Sequence, residues 1–589
     1  MSSLITALDN HTSKQIGENG HTEYTWSNNI REKILQFHFQ LVRTHEDRLS
    51  EIDSILRDIL NTLKNRHDKF KDNESAAYLS LLYRMIGSTR DIVDGKGEYS
   101  LTYMMIYTWY DFYPVLSMYA LKCLFHTDET ITHQYGSWKD IKQFCHYCLS
   151  KNPDNSSQPL ILIAIELMNN RIRYDKHLID SGSDDISLVS KWVPREKSKY
   201  SWLFHLLATE YFSQYFSKIT SQEQVEKAQK KCYTEYRKLI SSLNRKLDTL
   251  QIKQCSNSWS DIQFKNVTSI SFSKQKEAFL NVKKNVARFP DREDRVKCAE
   301  NFTDFIQTTI KEGKEIKGKR VGMGSFTQQA IDLLRLSQET TSTTNTNATQ
   351  IQIDLLNSQW RDNSTQSGSL GKMIAMVDVS ASMDGDPINA AIALGIRIAA
   401  KSVLGKRVMT FSSTPSWVNL DNYDDFVSQV NIIKEAPWGM NTNFYSAMQM
   451  ILDAIEENRL LPEDVQDMVL VILSDMQMDD ADDFFKDRET LYESINTLYK
   501  DAGNRVHGKP YKPPHIIFWN LRSTSGFPTL STQPNVSMLS GFSASFLNLF
   551  CEKGLESLEF VTPWAQLERI LENERYNIMN NYITNYLQK

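Results

Sequence analysis

The stretch MVDVSASMDGDP, residues 376–387, ends a run of apolar side chains on an aspartate and follows it with two hydroxyls. Strands that are apolar at consecutive positions are typical of parallel sheets covered on both faces. Asp378 would then end a buried strand, with Ser380 and Ser382 in the loop after it. Ligands of such sheets bind at the carboxyl ends of the strands. The stretch therefore predicts an α/β fold with an oxygen-rich site, which suits a hard divalent cation.

The alternation of apolar runs with helical patterns continues over residues 371–562. Because the runs lack polar positions, we predict a mostly parallel sheet with helices on both faces. The strands are expected to begin near four residues: Lys372, Arg407, Met468 and His515.

Two further oxygen ligands lie where the rule for strand ends places them. Thr442 lies in a loop before a predicted helix, and Asp475 ends the strand DMVLVILSD, residues 467–475. With the first stretch they make two carboxylates and three hydroxyls, an oxygen-only set that suits Mg²⁺ or Mn²⁺ with retained waters. The alternative is that Asp378 and the serines only cap local turns. Convergence of three separate loops favours the metal.

Residues 28–336 repeat apolar side chains at spacings of three and four, which predicts an α-helical domain. No strict repeat period is present, so an irregular solenoid of helix pairs and a globular helical domain both remain open. Around these two domains we predict four smaller segments: a flexible N-terminus over 1–27, a low-complexity linker or loop over 337–350, a connecting helix and loop over 351–370, and a C-terminal helix over 563–589.

Composition excludes some classes of protein. The chain has 589 residues and seven cysteines. Its formal net charge of −5 argues against a protein that coats nucleic acid indiscriminately. Cys145 and Cys148 form one C-x-x-C without a second pair, so we expect two thiols on a helix face. No signal-peptide pattern opens the sequence, and the most apolar window, 101–125, contains Asp111 and Pro114. We expect no membrane span and an intracellular, most simply cytoplasmic, location.

Residues 371–560 resemble the von Willebrand factor A domain. Five residues fit its metal-ion-dependent adhesion site: Asp378, Ser380, Ser382, Thr442 and Asp475. Ala381 stands where the family motif D-x-S-G-S has glycine, a departure that leaves every ligand present. The resemblance implies a Rossmann-like α/β fold. It also implies a metal ion that leaves one coordination place for an acidic residue of a protein partner.

The helical half carries a second resemblance. The segments TRDIVDGKGEYSLTYMMIYTW (89–109), YGSWKDIKQF (135–144) and KWVPREKSKYSWLF (191–204) resemble a family known as domain of unknown function 2828. Its members join a helical repeat to a von Willebrand A domain and have no assigned function. That family is similar to the Ro autoantigen (TROVE) proteins, in which a ring of helical repeats binds small RNAs. The resemblance implies a HEAT-like helical domain and makes small or single-stranded RNA a second candidate partner.

Two basic segments are the candidates for nucleic-acid contact. Residues 227–247 place cations beside Tyr233 and Tyr236, and aromatic rings next to cations suit single strands. Residues 311–326 offer cations and glycine amides to phosphates. An ordinary solvated surface is the favoured interpretation of both. The candidate contacts are Lys230, Lys231, Arg237, Lys238, Arg245, Lys317, Lys319 and Arg320.

The sequence contains neither a nucleophile elbow nor an H-E-x-x-H motif, so we predict that the protein is not an enzyme. The first hypothesis is a binding or scaffold protein that captures an acidic partner group at a divalent metal. The alternative is a small-RNA ribonucleoprotein component whose A domain is mainly structural. A metal-dependent hydrolase is the weakest hypothesis, because no general base is visible near the five ligands. The sequence does not indicate the oligomeric state.

Overall fold

The computed structural model describes residues 13–217, 219–283, 286–339, 343–439, 441–466, 468–479, 489–551 and 561–588. The chain divides into two compact units. The α/β unit contains Met1–Ile55 and Phe264–Asn573, and the helical unit contains Leu56–Gln263 and Glu574–Lys589. The compact units therefore do not part at residue 336, where we expected the helical domain to end.

The elements are numbered in chain order over the described residues. The helices are α1 (Ile30–Phe39), α2 (Glu46–Phe70), α3 (Asn73–Arg90), α4 (Ser100–Phe112), α5 (Pro114–Cys123), α6 (Lys139–Lys151), α7 (Pro159–Asp180), α8 (Val189–Trp192), α9 (Ser201–Tyr211), α10 (Gln222–Lys246), α11 (Leu250–Cys255), α12 (Ser269–Phe279), α13 (Glu293–Lys311), α14 (Met323–Glu339), α15 (Thr343–Ser364), α16 (Asp386–Lys401), α17 (Phe426–Glu435), α18 (Phe444–Glu457), α19 (Pro462–Gln466), α20 (Leu491–His507), α21 (Pro563–Leu571) and α22 (Asn577–Leu587). The strands are β1 (Lys14–Ile16), β2 (Thr22–Tyr24), β3 (Val282–Lys283), β4 (Val286–Ala287), β5 (Met373–Asp378), β6 (Arg407–Phe411), β7 (Ser416–Asn419), β8 (Val469–Ser474), β9 (His515–Asn520) and β10 (Val536–Ser540).

The helical unit confirms the predicted front half. Its helices pack largely in chain order, α3 on α4, α4 on α5, α6 on α7 and α9 on α10, as in helical-repeat domains. The apolar window 101–125 forms two helices, because Pro114 starts α5 one residue after Tyr113 breaks the helical conformation. Over the part of the chain that the structure describes, no helix has both the length and the apolarity to cross a bilayer.

The two thiols of the C-x-x-C motif lie on one face of α6. Cys145 and Cys148 are both buried and unbonded, and burial raises the pKa of each thiol. A thiol that resists ionisation is a poor nucleophile and a poor metal ligand. The expectation of two packed helix-face thiols is therefore confirmed.

The α/β unit is built on a six-stranded sheet in the order β10-β9-β8-β5-β6-β7. All neighbouring strands are parallel except β7, which pairs antiparallel with β6 at the edge. The strands that we predicted from the sequence begin at Met373, Arg407, Val469 and His515, within one residue of the expected positions. Every residue of β8, β9 and β10 is buried, so helices or loops cover both faces.

The order of these strands is that of a doubly wound sheet, with β5 and β8 in the centre. The chain runs outward from β5 through β6 and β7, then returns to β8 and runs outward on the other side. The gap between the carboxyl ends of β5 and β8 is therefore the topological switch point, where ligands of such sheets bind.

Helix α16 packs closely against β5 because of a glycine. A Cβ atom on Gly395 would lie 2.6 Å from Cγ2 of Val377, closer than two carbon atoms can approach. Helices α14, α15 and α17 pack over the same side, and Trp360 stacks on Phe426 with ring centroids 4.0 Å apart. The Arg397 guanidinium lies over the Trp360 ring at 4.4 Å. These contacts bind residues 264–364 into the α/β unit.

Three smaller segments differ from the expectation. Residues 343–350, expected in a flexible linker, form the first turns of α15, and Thr349 is buried. Residues 14–24, expected to be loose, form the antiparallel pair β1–β2, while residues 1–12 lie outside the described part. The predicted C-terminal helix is two helices, α21 in the α/β unit and α22 in the helical unit, where it packs on α3.

Candidate metal-binding site

Two carboxylates lie at the switch point of the sheet. Asp378 is the last residue of β5, and Asp475 directly follows β8. The strands are adjacent, with Val377 paired to Leu473, so both aspartates leave the sheet at the same edge. Both side chains are completely buried. Sequence periodicity predicted this placement, because each aspartate ends a run of consecutive apolar residues.

Ser380 and Ser474 donate hydrogen bonds to the Asp378 carboxylate. The Ser380 backbone N–H donates to Oδ1 at 2.9 Å, and the Ser474 hydroxyl donates to Oδ2 at 2.6 Å. Burial and the negative charge of Asp475 raise the pKa of Asp378 to about 7, in spite of the hydrogen bonds from Ser380 and Ser474. The ionised carboxylate is therefore costly here without a further positive charge.

The hydroxyls lie next to the carboxylate. The oxygens of Ser380 and Ser382 are 3.1 Å apart. Ser380 also forms a parallel bridge with Gly439, which joins the loop after β5 to the loop before α18. Thr442, in that second loop, is buried, and its backbone N–H donates to Oδ2 of Asp479 at 2.7 Å. These contacts link the loop before α18 to the loops that follow β5 and β8.

Asp475 has an ion-pair partner that the sequence analysis missed. The Arg522 Nη1 atom lies 3.1 Å from Oδ2 of Asp475, while the Gln477 backbone N–H donates to Oδ1 at 3.1 Å. Arg522 follows β9 by two residues, so it too stands at the carboxyl end of a strand. Its side chain is 41% exposed and is therefore accessible to solvent. Its position after a strand end was the signal that could have found it.

The donor chemistry suits a small hard cation. Carboxylates and hydroxyls are the ligands that Mg²⁺ accepts, and Mg²⁺ keeps several waters when few protein ligands are offered. Within the described residues no three His, Cys, Asp or Glu side chains converge, so a site for zinc or another soft metal has no ligands there. When both are ionised, the buried carboxylates at the switch point set two negative charges against one partly exposed arginine, an imbalance that a dication would correct.

The candidate nucleic-acid residues belong to two different units. On α10, Arg237 pairs with Glu196 and Lys238 with Glu235, whereas Lys231 lies 4.4 Å from the centroid of the Tyr215 ring. Lys230 and Arg245 are exposed on the same helix.

The second group belongs to the α/β unit. Lys317 donates to the Lys265 carbonyl at 2.7 Å, and the Lys319 backbone N–H donates to Asp362 at 3.1 Å. Arg320 is exposed in the same loop. Hydrogen bonds to neighbouring residues of the same unit therefore hold this loop in place.

Fold and site together define a two-part protein, a stack of helices joined to a doubly wound α/β unit with paired strand-end carboxylates. Residues 154–370 match the family model "Domain of unknown function (DUF2828)", and residues 372–580 match "Domain of unknown function (DUF7788)". The resemblance to the DUF2828 family is thereby confirmed over that part of the chain.

Two individual proteins are similar to the chain. Uncharacterized protein L728 of Acanthamoeba polyphaga mimivirus is 27% identical over 516 residues, which cover 84% of this chain and 79% of that protein. Among solved structures, the Ro (RSR) protein of Deinococcus radiodurans matches with a TM-score of 0.32 and 10% identity, over 89% of this chain and 99% of that chain.

Proposed function

We propose that the protein is a non-enzymatic binding protein that captures an acidic group of a partner at a divalent metal ion, Mg²⁺ or Mn²⁺. The observation that carries the proposal is the pair of buried carboxylates at the switch point, Asp378 and Asp475, beside the adjacent hydroxyls of Ser380 and Ser382. Those four residues and Thr442 would hold the ion. When bound, it would supply a positive charge with one place open for a carboxylate.

The charge balance explains why such a site attracts an acidic partner. Two carboxylates balance the formal charge of a dication, but the side of the ion that they do not cover still attracts an anion. Arg522 adds a positive charge at the same edge of the sheet, and its side chain is partly exposed. A guanidinium binds carboxylates in two parallel hydrogen bonds, so Arg522 would orient the incoming group.

Among the described residues, the site offers little to support hydrolysis. A metal-dependent hydrolase needs a base that activates a water molecule beside the ion. Asp378 and Asp475 are both needed to hold the ion, and the Asp479 carboxylate accepts the hydrogen bond of the Thr442 backbone N–H. Binding without chemistry is therefore the function that these residues support best.

Isothermal titration of Mg²⁺ into the wild type and the Asp378→Ala variant tests the proposal. We expect heat of binding in the wild type and none in the variant, because one of two charges that hold the ion is gone. The matched control is Asp384→Ala, which removes an exposed carboxylate six residues away and should leave affinity within about twofold. Equal affinity in wild type and Asp378→Ala would refute the site.

A second candidate function is binding of single-stranded RNA on α10. The observation that favours it is Lys231 over the Tyr215 ring, which itself stacks on Phe212 with centroids 5.2 Å apart. Stacked aromatic rings beside cations suit unpaired bases and phosphates. The paired cations Arg237 and Lys238 weigh against it, since their charges are already balanced.

Fluorescence anisotropy with a labelled oligouridine of about 20 nucleotides, a length that covers one or more sites of this kind, tests this candidate. The variant Lys231→Ala should weaken binding and reduce the slope of log affinity against log salt by about 1. Lys227→Ala is the control, because Lys227 is paired with Glu223 at 2.6 Å and releases little counterion. The absence of binding by the wild type at low salt would refute the candidate.

A further inference from the structure

The N-terminal strap, residues 14–24, docks on the loop that follows β8. It consists of β1, a turn and β2, and its turn contacts Gln477, two residues after Asp475. The Glu18 backbone N–H donates to Oε1 of Gln477 at 2.7 Å, and Nδ2 of Asn19 donates to the Gln477 carbonyl at 3.0 Å. Gly20 adds an antiparallel bridge to Asp479. The strap is therefore attached to the same loop that carries Asp475.

One acidic side chain of the strap reaches the charged groups of the site. The Glu18 carboxylate lies 3.8 Å from Nη1 of Arg522, the same atom that lies 3.1 Å from Asp475. Glu18 is 52% exposed, so burial does not hold it there. One guanidinium thus bridges a site carboxylate and a carboxylate of the strap. An acidic group that paired with this guanidinium nitrogen would meet Glu18 beside it.

We propose that the strap is an internal competitor for the acidic group that the metal site captures, with Glu18 as the competing carboxylate. This inference rests on the proposed function. It assigns the site a closed state, in which Glu18 shares Arg522 with Asp475, and an open state, in which a partner carboxylate takes that place. The partner is then a protein segment that presents an exposed Asp or Glu on an extended or turn-like backbone, as the strap does.

Polar contacts to Gln477 hold the turn of the strap, which carries Glu18. The strands have three residues each, and β2 is also bridged to the α/β unit from Thr22 to Thr490 and from Tyr24 to Phe527. At the open end of the hairpin, opposite the turn, the Lys14 ammonium lies 2.6 Å from Glu493, with both side chains partly exposed. Near the same end, Glu23 is buried against Gly526 and accepts a hydrogen bond from Gln477 at 3.0 Å. Weakening either the Glu18 contact or the Lys14 contact would raise the open fraction.

The consequence for binding follows from population arithmetic. If a partner binds only the open state, its apparent affinity is reduced by the open fraction. A strap that is closed nine-tenths of the time weakens binding about tenfold. Removing the competing charge should therefore tighten binding of an acidic probe by up to that factor, while Mg²⁺ affinity stays nearly constant.

Three variants of the full chain test the inference: Glu18→Gln, Lys14→Ala and the control Glu572→Gln, an exposed glutamate elsewhere in the α/β unit. Mg²⁺ binding is measured by calorimetry. The probe is a fluorescein-labelled hexaglutamate peptide, measured by anisotropy in Mg²⁺ and in EDTA. We expect Glu18→Gln to bind the peptide up to about tenfold more tightly and Lys14→Ala about twofold to fivefold more tightly, with the control unchanged.

Lys14→Ala separates the strap from a simple charge effect. Loss of a lysine reduces the attraction of the protein for an acidic peptide, so electrostatics alone predicts weaker binding, whereas opening of the strap predicts tighter binding. The inference is overturned if Lys14→Ala binds the peptide as the wild type does or more weakly. It is also overturned if Glu18→Gln and the wild type bind the peptide equally. In either case, Mg²⁺ binding by the wild type leaves the proposed function standing. Absence of Mg²⁺ binding in every variant overturns both. Amide exchange of residues 14–24 should quicken when Mg²⁺ and peptide are added together.

Discussion

Replacing Asp378 with asparagine should make the metal-free protein more stable at alkaline pH. The ionised carboxylate is completely buried next to Asp475, and burial is the main cause of its raised pKa. Asparagine has the same shape and can still accept the hydrogen bond from the Ser380 backbone N–H. The variant therefore removes the cost of a buried charge without leaving a cavity.

The size of the effect follows from the raised pKa. The pKa of Asp378 is about 7 in the folded chain against an ordinary 3.8, and each pKa unit corresponds to 1.36 kcal/mol. At pH 8 the ionised group thus costs about 4 kcal/mol of the free energy of unfolding. The pKa of Asp378 is higher in the folded chain than in the unfolded chain. The wild type therefore pays almost none of this cost below pH 4, where the carboxyl is protonated in both states, and its free energy of unfolding falls as the pH rises through 7.

Urea denaturation in EDTA at pH 4, 6 and 8 measures the difference between wild type and Asp378→Asn. We expect the advantage of the variant to grow from near zero at pH 4 to about 4 kcal/mol at pH 8. Saturating Mg²⁺ should stabilise the wild type and not the variant, which reverses the order if binding is tight. Asp384→Asn, which changes an exposed carboxylate, should show no such trend. An advantage that is independent of pH, or a variant that is less stable throughout, would refute the reasoning.

Three further substitutions test the packing within each unit. Gly395→Ala should lower the free energy of unfolding by about 1–3 kcal/mol in urea, because the new methyl group meets Val377 at 2.6 Å. Trp360→Ala should lower the free energy of unfolding of the α/β unit by about 3–5 kcal/mol. Amide exchange that becomes faster in α15 alone would contradict this expectation. Arg90→Met should cost the helical unit about 3–5 kcal/mol in thermal unfolding, since it leaves Asp140 buried without the guanidinium 2.7 Å away; an unchanged Tm would contradict it.

The sheet was predictable because its signal is local. Strands β5, β8 and β9 are apolar at nearly every position, and a buried parallel strand has no other pattern. Strand β7 escaped notice because it is short and half exposed at the edge, with Trp417 pointing to solvent. The linker was misjudged from its Ser/Thr/Asn composition. The first turns of α15 are helical in spite of it, because the following apolar residues pack that helix against α14 and α17.

The site was predictable in its donors and not in its charge balance. Asp378 and Asp475 each follow a run of apolar residues, which marks them as strand ends in the sequence. The rule that ligands of doubly wound sheets bind at the carboxyl ends of the strands then predicts that they lie together. Arg522 pairs with a residue 47 positions away, and the strap reaches Gln477 from more than 450 positions away. Contacts of that range leave no periodic mark on a sequence. The polar composition of residues 14–24 predicted a loose segment, and only the tertiary contacts give it a place.

The charge of two buried carboxylates at one sheet edge must be neutralised, and the site offers three ways to do so. A proton can neutralise Asp378, whose raised pKa makes that accessible near neutral pH. The Arg522 guanidinium can pair with Asp475, as it does here. A dication can meet both carboxylates at once, which then leaves Arg522 free for the carboxylate of a partner. The three solutions compete for the same two negative charges, so protonation of Asp378, pairing with Arg522 and metal binding are thermodynamically linked, and each should oppose the others in proportion to the charge that it supplies.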